Sequence, residues 1–403
     1  MSAPGLTGLA EACREITAPG SDPELVAALV AWAVRPRRTL EGVRRALASD
    51  AGGGTPARRL RAHVLPHLDD DDAAHAAAVI ARWVARGCQL SVVGDPGYPS
   101  RLAEGWPDTD GPVLLAASGQ VPEDRPTVAL VGSRRASSYG TGITAWLAEA
   151  AGEAGAHVIS GGAVGIDAAA HRAAVHTSGG TSVVLACGHD VDYPRSHARP
   201  GGLFDGIRRA GGAVVSEQLP AVPPRAGVVR ARNRIVAALA DVVVVVEGGA
   251  RSGALLTATA ALERDRVLLA VPGDVRASGS VAPNRLLGEG AHPCTGPGDL
   301  LEHLDRLAHR AHLAGTGGVA ASGTAAEVDR ADPLSALPAP LHAALRAAWP
   351  RAVPVDVLLE RVELDAGAAL AALTRAQVAG EVAEGPEGVV LCRRPAAPQR
   401  LIS

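Results

Sequence analysis

The sequence predicts an α/β fold: a Rossmann-like doubly wound parallel sheet with an N-terminal helical domain and a C-terminal winged-helix domain. Three observations carry this reading. Short β-rich runs recur at Thr127–Val131, His157–Ile159, Ser182–Ala186, Ala213–Val215, Asp241–Val246 and Val267–Val271, with starts 25 to 31 residues apart. Most gaps hold a Gly- or Ser-rich turn and then an Ala-rich helix, such as Trp146–Gly155 or Ile166–Val175, which is the rhythm of βαβ units. Several runs are apolar throughout, as strands covered on both faces must be. In such a sheet the ligand site lies at the carboxyl ends of the strands.

The remaining elements follow in chain order. Residues 1–92 read as a helical domain, because Leu25, Leu29, Leu40, Val43 and Leu47 have apolar helical spacing. The run Asp69–Asp72 precedes the apolar-periodic stretch Ala73–Val84, so it reads as an N-cap and first-turn charge rather than a metal cluster. Turn residues Gly94 to Pro99 then open the domain of residues 93–312, with Pro112–Ala116 as part of its lead-in segment. Residues 313–334 are rich in Ala, Gly, Ser and Thr and read as a flexible linker. In residues 335–395, Leu341 and Leu345 share one helix face, Val355, Leu358 and Leu359 a second, and Leu370, Leu373 and Val378 a third. Val382–Ala383 and Val389–Leu391 flank a Glu-Gly-Pro-Glu-Gly turn and read as a β-hairpin. Three helices and then a hairpin is the winged-helix order.

Composition narrows the function. The formal net charge is −3, so any grip on nucleic acid must come from a local basic patch. The chain contains no lysine: all 39 basic residues are arginine, and a P-loop is therefore excluded. Five widely spaced cysteines include no C-x-x-C pair, which argues against a disulfide framework and a structural zinc site and for a reducing cytoplasm. No apolar run approaches the ~18 residues of a membrane span. The N-terminus lacks the basic-then-apolar order of a secretory leader.

Three strand ends carry small residues suited to an anion. They are Gly132-Ser133-Arg134 after the first strand, Ser160-Gly161-Gly162 leading to Gly165 and Asp167 after the second, and Gly248-Gly249-Ala250-Arg251-Ser252-Gly253 after the fifth. Glycine lets backbone approach a ligand closely, and the following helix N-terminus aims N–H groups at it. Ser133, Ser160 and Ser252 would add hydroxyl donors, and Arg134 a planar fork for phosphate. From Pro223 to Ala240 there are four arginines, Arg225, Arg230, Arg232 and Arg234, and no acid; Arg195 and Arg199 follow the third strand. A strand of phosphates crossing these loops accounts for both the glycines and the arginines. Asp167 and His171 read as a helix cap and a local hydrogen-bonding group rather than an acid–base pair.

Enzymatic alternatives fit less well. The first turn is not G-x-G-x-x-G, and Ser160-Gly161 stands where a nicotinamide binder carries an acid. A nucleotide-metabolising enzyme of phosphoribohydrolase type would need Glu263 or Asp167 to supply its carboxylate. Cys187-Gly188-His189-Asp190 has no second cluster with which to bind a metal. A third reading is a winged-helix regulator of duplex DNA, although Glu360, Glu363 and Asp365 lie around its recognition helix.

Several motifs in order resemble the DNA-processing protein A (DprA, also called Smf) family. They are Val131-Gly132-Ser133-Arg134, the run Ser160 to His171, Gly188…Tyr193-Pro194, Ser216-Glu217, Arg232-Asn233-Arg234-Ile235, the run Ser252 to Ala258 and Val271-Pro272-Gly273. Coverage runs from about Leu90 to about Leu304, and the flanks match a SAM-like helical domain and a winged helix more weakly. The resemblance implies a non-catalytic single-stranded-DNA-binding protein without cofactor or metal. It would protect incoming DNA in natural transformation, or act in genome maintenance, help load RecA recombinase and form a homodimer. By position it assigns DNA binding to Gly132, Ser133, Arg134, Gly161, Gly162, Arg195, Arg232, Asn233, Arg234, Ser252 and Gly253. Gly165, Asp167, His171 and Thr257 would shape the pocket. The Phe-Pro usual before Arg-Asn-Arg is Val229-Arg230 here, and the glycine expected two residues before Asn284 is Ala282. The first change loses an aromatic and gains a charge, so backbone contacts are expected to dominate.

Overall fold

The computed structural model describes residues 4–49 and 54–316, then 341, 353–361, 369, 372–373, 376, 382–385 and 388–391. The chain forms two compact units, Met1–Gly318 and Val319–Ser403. The larger begins with five helices, α1 (Pro4–Cys13), α2 (Pro23–Ala33), α3 (Leu40–Ala48), α4 (Pro56–Val64) and α5 (Asp70–Val84). Asp22, Thr39, Thr55 and Asp69 cap the N-termini of α2 to α5. The acidic run is the start of a helix, as its position predicts. Asp69 accepts from the Asp72 N–H at 3.1 Å while Asp72 accepts from the Asp69 N–H at 3.0 Å, and Arg35 pairs with both carboxylates. Leu25, Leu29, Leu60, Ile80 and Trp83 are buried between these helices, and their core is continuous with one face of the sheet.

The sheet has nine strands. A lead-in hairpin of β1 (Gln89–Val92) and β2 (Leu114–Ser118), with the one-turn α6 (Ser100–Ala103) between them, forms one edge. Then come β3 (Thr127–Gly132), β4 (His157–Ser160), β5 (Thr181–Val184), β6 (Val214–Ser216), β7 (Val242–Glu247), β8 (Val267–Ala270) and β9 (His292–Pro293). The order is β1-β2-β6-β5-β4-β3-β7-β8-β9. From β6 to β9 every pairing is parallel, while β2 joins β6 antiparallel. The fold is thus α/β and mostly parallel, with an antiparallel edge contributed by the lead-in segment.

Helices cover both faces. Leu147 and Ala151 of α7 (Ser138–Glu153), Ile166 and Ala170 of α8 (Ile166–Ala174) and Leu300 and Leu304 of α14 (Pro297–Thr316) pack on Leu130, Val158, Val244 and Val246. Ile235, Val236 and Leu239 of α11 (Ala226–Leu239) and Ala254 and Ala258 of α12 (Gly253–Leu262) pack with Ala129, Val131, Val243 and Val245. The short helices α9 (Arg195–Ala198), α10 (Leu203–Arg209) and α13 (Val281–Gly288) complete this unit. Alternating strand residues therefore supply two cores, which is why these runs are apolar throughout. The chain winds from β3 out to β6 and then returns to place β7 on the other side of β3. The loops after β3 and β7 consequently leave toward opposite faces and open a crevice between them.

α14 continues to Thr316, into the stretch read as the start of the linker, and residues 317–334 lie outside the described residues. In the smaller unit, α15 (Val355–Arg361) precedes the antiparallel pair β10 (Val382–Gly385) and β11 (Gly388–Leu391). Leu341, Val353, Leu358, Leu373, Val382 and Val389 form its core. The hairpin lies where the sequence predicts it, whereas Leu345, Leu370 and Val378 of the expected helix faces are outside the described residues. Among the described residues no helix is long and apolar enough to cross a membrane.

Three histidines, His157 and His171 buried and His189 half-buried, tie the sheet's polar contacts together. His157 donates Nδ1–H to the Gly179 carbonyl at 2.7 Å and accepts the Ser182 hydroxyl at Nε2 at 2.8 Å. His189 donates to the Ala116 carbonyl at 3.0 Å. His171 meets Thr181 Oγ1 at 2.7 Å, and because that hydroxyl donates to the Val158 carbonyl, the imidazole Nδ1 carries the proton. Burial pushes His171 down to about 3, and His157 and His189 down to about 4. The unfolded chain takes up these protons near ~6.5, well before the folded chain does. Stability is therefore full above about pH 6.5 and falls as pH drops, by on the order of 2 kcal/mol per histidine at about pH 5. Urea midpoints at neutral pH and near pH 5 check this, and equal midpoints would contradict it.

Candidate nucleic-acid interface

The crevice between β3 and β7 is a cleft of about 440 Å³. Its lining includes Gly132, Ser133 and Arg134 after β3, Gly161 and Asp167 after β4, and Arg232 and Asn233 of α11. Ser252, Gly253 and Thr257 at the start of α12 complete the set of predicted residues brought together there. Ser133 accepts the Arg135 N–H at 3.0 Å, and its own proton is available to a ligand. Ser252 caps α12 by accepting the Ala254 N–H at 3.2 Å, and Asn233 donates to the Gly253 carbonyl at 3.0 Å, holding that helix start against α11.

Other predicted residues have different roles. Arg232 is buried: its guanidinium donates to the Val184 carbonyl at 2.9 Å and forms the floor of the cleft. Only glycine fits at 161, because a Cβ there would overlap this guanidinium. Arg234 points elsewhere, donating to Glu217 at 2.6 Å and pairing with Asp110 at 3.4 Å, and it does not line the cleft. Arg195 opens the four-residue α9 and is exposed, outside the cleft lining. Gly162 packs against Val183 and Phe204, and its carbonyl meets His197 Nδ1 at 3.0 Å. Ser160 is not a phosphate donor, since its hydroxyl is buried and given to the Leu130 carbonyl at 2.6 Å.

Asp167 and His171 also differ from the sequence reading. The helix cap is Gly165, and Asp167 instead accepts the Ala163 N–H at 3.2 Å, bracing the preceding loop. Burial pushes its carboxyl up, against the pull of Arg232 and Arg134. His171 reaches across to β5 rather than bonding locally, because its position on α8 faces the sheet. Gly165 locks the second loop to the first: Ile166 N–H donates to the Ser133 carbonyl at 3.1 Å, φ is +86°, and a Cβ would strike that same carbonyl. Gly165→Ala is expected to destabilise the fold by about 2 kcal/mol or more, read by urea unfolding, and a loss within about 0.5 kcal/mol would contradict this packing.

A second cleft of about 640 Å³ continues from the first, sharing Arg134, Val229, Arg251, Ser252 and Gly253. Arg134, Arg225, Arg230 and Arg251 line it, no acid does, and Tyr193, Leu255 and Leu256 form much of the rest. All four arginines are exposed, and none forms an ion pair among the described residues. Arg225 and Arg230 were read only as part of a basic run, and Arg251 only as part of a loop. Arg225 and Arg230 belong to the amino-terminal end of α11, which descends from the carboxyl edge of the sheet, and Arg251 to the loop after β7, so all three meet at that edge. The two clefts together offer free cations, backbone N–H groups at the α12 start and hydroxyls, the donor set that phosphate requires. Among the described residues no group of three or more His, Cys, Asp or Glu side chains is arranged to hold a metal ion.

Comparison with known proteins covers the part of the chain that holds these clefts. The family model of DNA recombination-mediator protein A matches residues 89–305. Protein Smf of Escherichia coli is 35% identical over 74% of this chain and 75% of its own. The putative DNA processing protein DprA of Mycobacterium tuberculosis is 41% identical over 51% of this chain, which spans only 54% of that relative's length. The crystal structure of DNA processing protein A from Streptococcus pneumoniae superposes with a TM-score of 0.52 at 26% identity, covering 75% of this chain and 99% of that one. The matched span holds the whole sheet from β1 to β9 and both clefts, and by it the chain belongs to the DprA/Smf family of DNA recombination-mediator proteins.

Proposed function

We propose that this chain binds single-stranded DNA along the carboxyl edge of its sheet, gripping the phosphate backbone, and performs no catalysis. The observation that carries the reading is the set of four exposed arginines, Arg134, Arg225, Arg230 and Arg251, in one acid-free cleft, unpaired among the described residues. Gly132, Ser133, Ser252 and Gly253 supply close backbone and hydroxyl donors beside them, and Arg195 extends the positive edge. The carboxylates near the clefts are spent on structure: Asp167 on the Ala163 N–H, and Glu247 on the N–H and hydroxyl of Ser137. Glu263 stands at the far end of α12. This supports binding over a phosphoribohydrolase-type reaction.

Family membership extends the proposal. The bound strand is protected and handed to RecA recombinase, in natural transformation or in genome maintenance, by a cytoplasmic homodimer whose winged-helix tail serves packing or protein contacts. The test is a fluorescence-polarisation titration of the full chain with a labelled single strand and with its blunt duplex. The single strand should bind more tightly, and equal affinity for the duplex would sink the reading.

A further inference from the structure

Two loops that line the larger cleft are tied to a helix that lines no part of it. Asp190, three residues before Tyr193 in the loop after β5, has a side chain only 10% exposed. One of its carboxylate oxygens accepts the Ala221 N–H at 2.8 Å, in the loop after β6. The other pairs with Arg82, near the end of α5. Ala221 has a φ of +65°, a conformation that a residue with a Cβ keeps only where its surroundings hold it. Four residues on, Arg225 leads into α11 and, with Pro224, lines the cleft that Tyr193 lines from the first loop. Further bonds stitch the same segments. The Gly188 N–H donates to the Val222 carbonyl at 3.0 Å, and His189 donates to the Ala116 carbonyl of β2 at 3.0 Å. A Cβ at Gly188 would strike the Leu219 carbonyl. A second ion pair, Arg86 to Asp192 at 3.9 Å, joins the end of α5 to the first loop again.

Resting on the phosphate-binding reading, we infer that Arg82 and Asp190 are positioning residues through which the N-terminal helices set strand affinity without touching the strand. The Asp190 carboxylate is a junction of three segments: α5, the loop that carries Tyr193 and leads to Arg195, and the loop that leads to Arg225. Arg82 is 51% exposed, and an ion pair so open to solvent adds little to the stability of the fold. Its effect is on geometry. A loop already held in its binding conformation pays no ordering entropy when a ligand arrives, and the Arg82 guanidinium keeps the carboxylate on the Ala221 N–H.

The experiment measures single-strand affinity of full-chain variants over a salt series, beside amide hydrogen exchange of the free chains. Arg82→Gln should bind the strand roughly three- to tenfold more weakly, with an unchanged salt slope, because no cation that meets phosphate has been removed. Exchange across Ala221 to Arg225 should quicken in that variant, while its urea midpoint stays close to that of the unaltered chain. Arg82→Lys should recover most of the affinity. In an Asp190→Ala background, Arg82→Gln should have no further effect, as two residues acting through one pair require. Unchanged affinity and exchange in Arg82→Gln overturn the inference, and so does a shallower salt slope, which would place Arg82 on the strand itself. A full further loss in the Asp190→Ala background overturns it as well; if Asp190→Ala does not fold, the glutamine and lysine variants decide alone. Failure of the unaltered chain to bind at low salt sinks the phosphate-binding reading instead, and exchange in the free chain still tests the brace.

Discussion

Replacing Arg134, Arg225, Arg230 and Arg251 together by alanine is expected to lower single-strand affinity by about a hundredfold or more near ~0.1 M salt. Each guanidinium that meets a phosphate displaces condensed counterions and adds a charge-assisted hydrogen bond. These four are free to do so, because among the described residues no carboxylate pairs with them and none lines their cleft. Thermal unfolding should be nearly unchanged, since exposed side chains without partners contribute little to stability. Arg234→Ala is the contrasting variant. Its guanidinium is committed to Glu217 and Asp110, so that change should perturb stability and leave the salt slope alone. An affinity loss for the quadruple variant no larger than that for Arg234→Ala would remove the arginine cleft from the account.

The largest effect on stability is expected from Asp241→Ala, about 3 to 5 kcal/mol. Asp241 lies just before the central strand β7, and its carboxylate receives Arg101 in a two-pronged bond at 3.1 and 3.0 Å. The same carboxylate accepts the Thr127 N–H at 2.8 Å, at the start of β3. Arg101 comes from α6, so this contact pins the lead-in segment to the two strands that flank the cleft. Their side chains are only 14% and 19% exposed, and removing the carboxylate leaves a largely buried cation with the Arg125 carbonyl as its remaining partner among the described residues. The contact sits at the amino edge of the sheet, opposite the clefts. Folded Asp241→Ala should therefore bind the single strand as the unaltered chain does, while its urea midpoint falls. A stability change below about 1 kcal/mol would show that the pair adds no more than a surface ion pair.

The sheet was legible because its strands are buried on both faces. Runs such as Asp241–Val246 need no alternation, and their spacing reports the intervening helices. The antiparallel edge was not legible: β2 overlaps the apolar run Pro112–Ala116, but nothing local reveals that it pairs with β6 about a hundred residues later. Gly132, Ser133, Ser252 and Gly253 of the loops after β3 and β7 could be placed at one sheet edge because the β-rich runs before them mark the strand ends. The arginines were sorted less well, since charge alone says nothing about direction. A signal existed for Arg232, which shares the helical stripe of Ile235, Val236 and Leu239 and is buried with them. Arg225 and Arg230 precede that stripe, at the end of α11 nearest the clefts. Tyr193 could not be placed in one cleft with Leu255 and Leu256 before the strand order was known, because it comes from the loop after β5 and they from the helix after β7.

The most direct test of the phosphate grip is the salt dependence of single-strand binding by the unaltered chain. Each phosphate neutralised on a single strand contributes a slope of about −0.7 to log K against log salt concentration. Four arginines in contact predict a slope near −3 between about 50 and about 200 mM salt. A slope near zero, or one that the quadruple alanine variant leaves unchanged, would contradict the account.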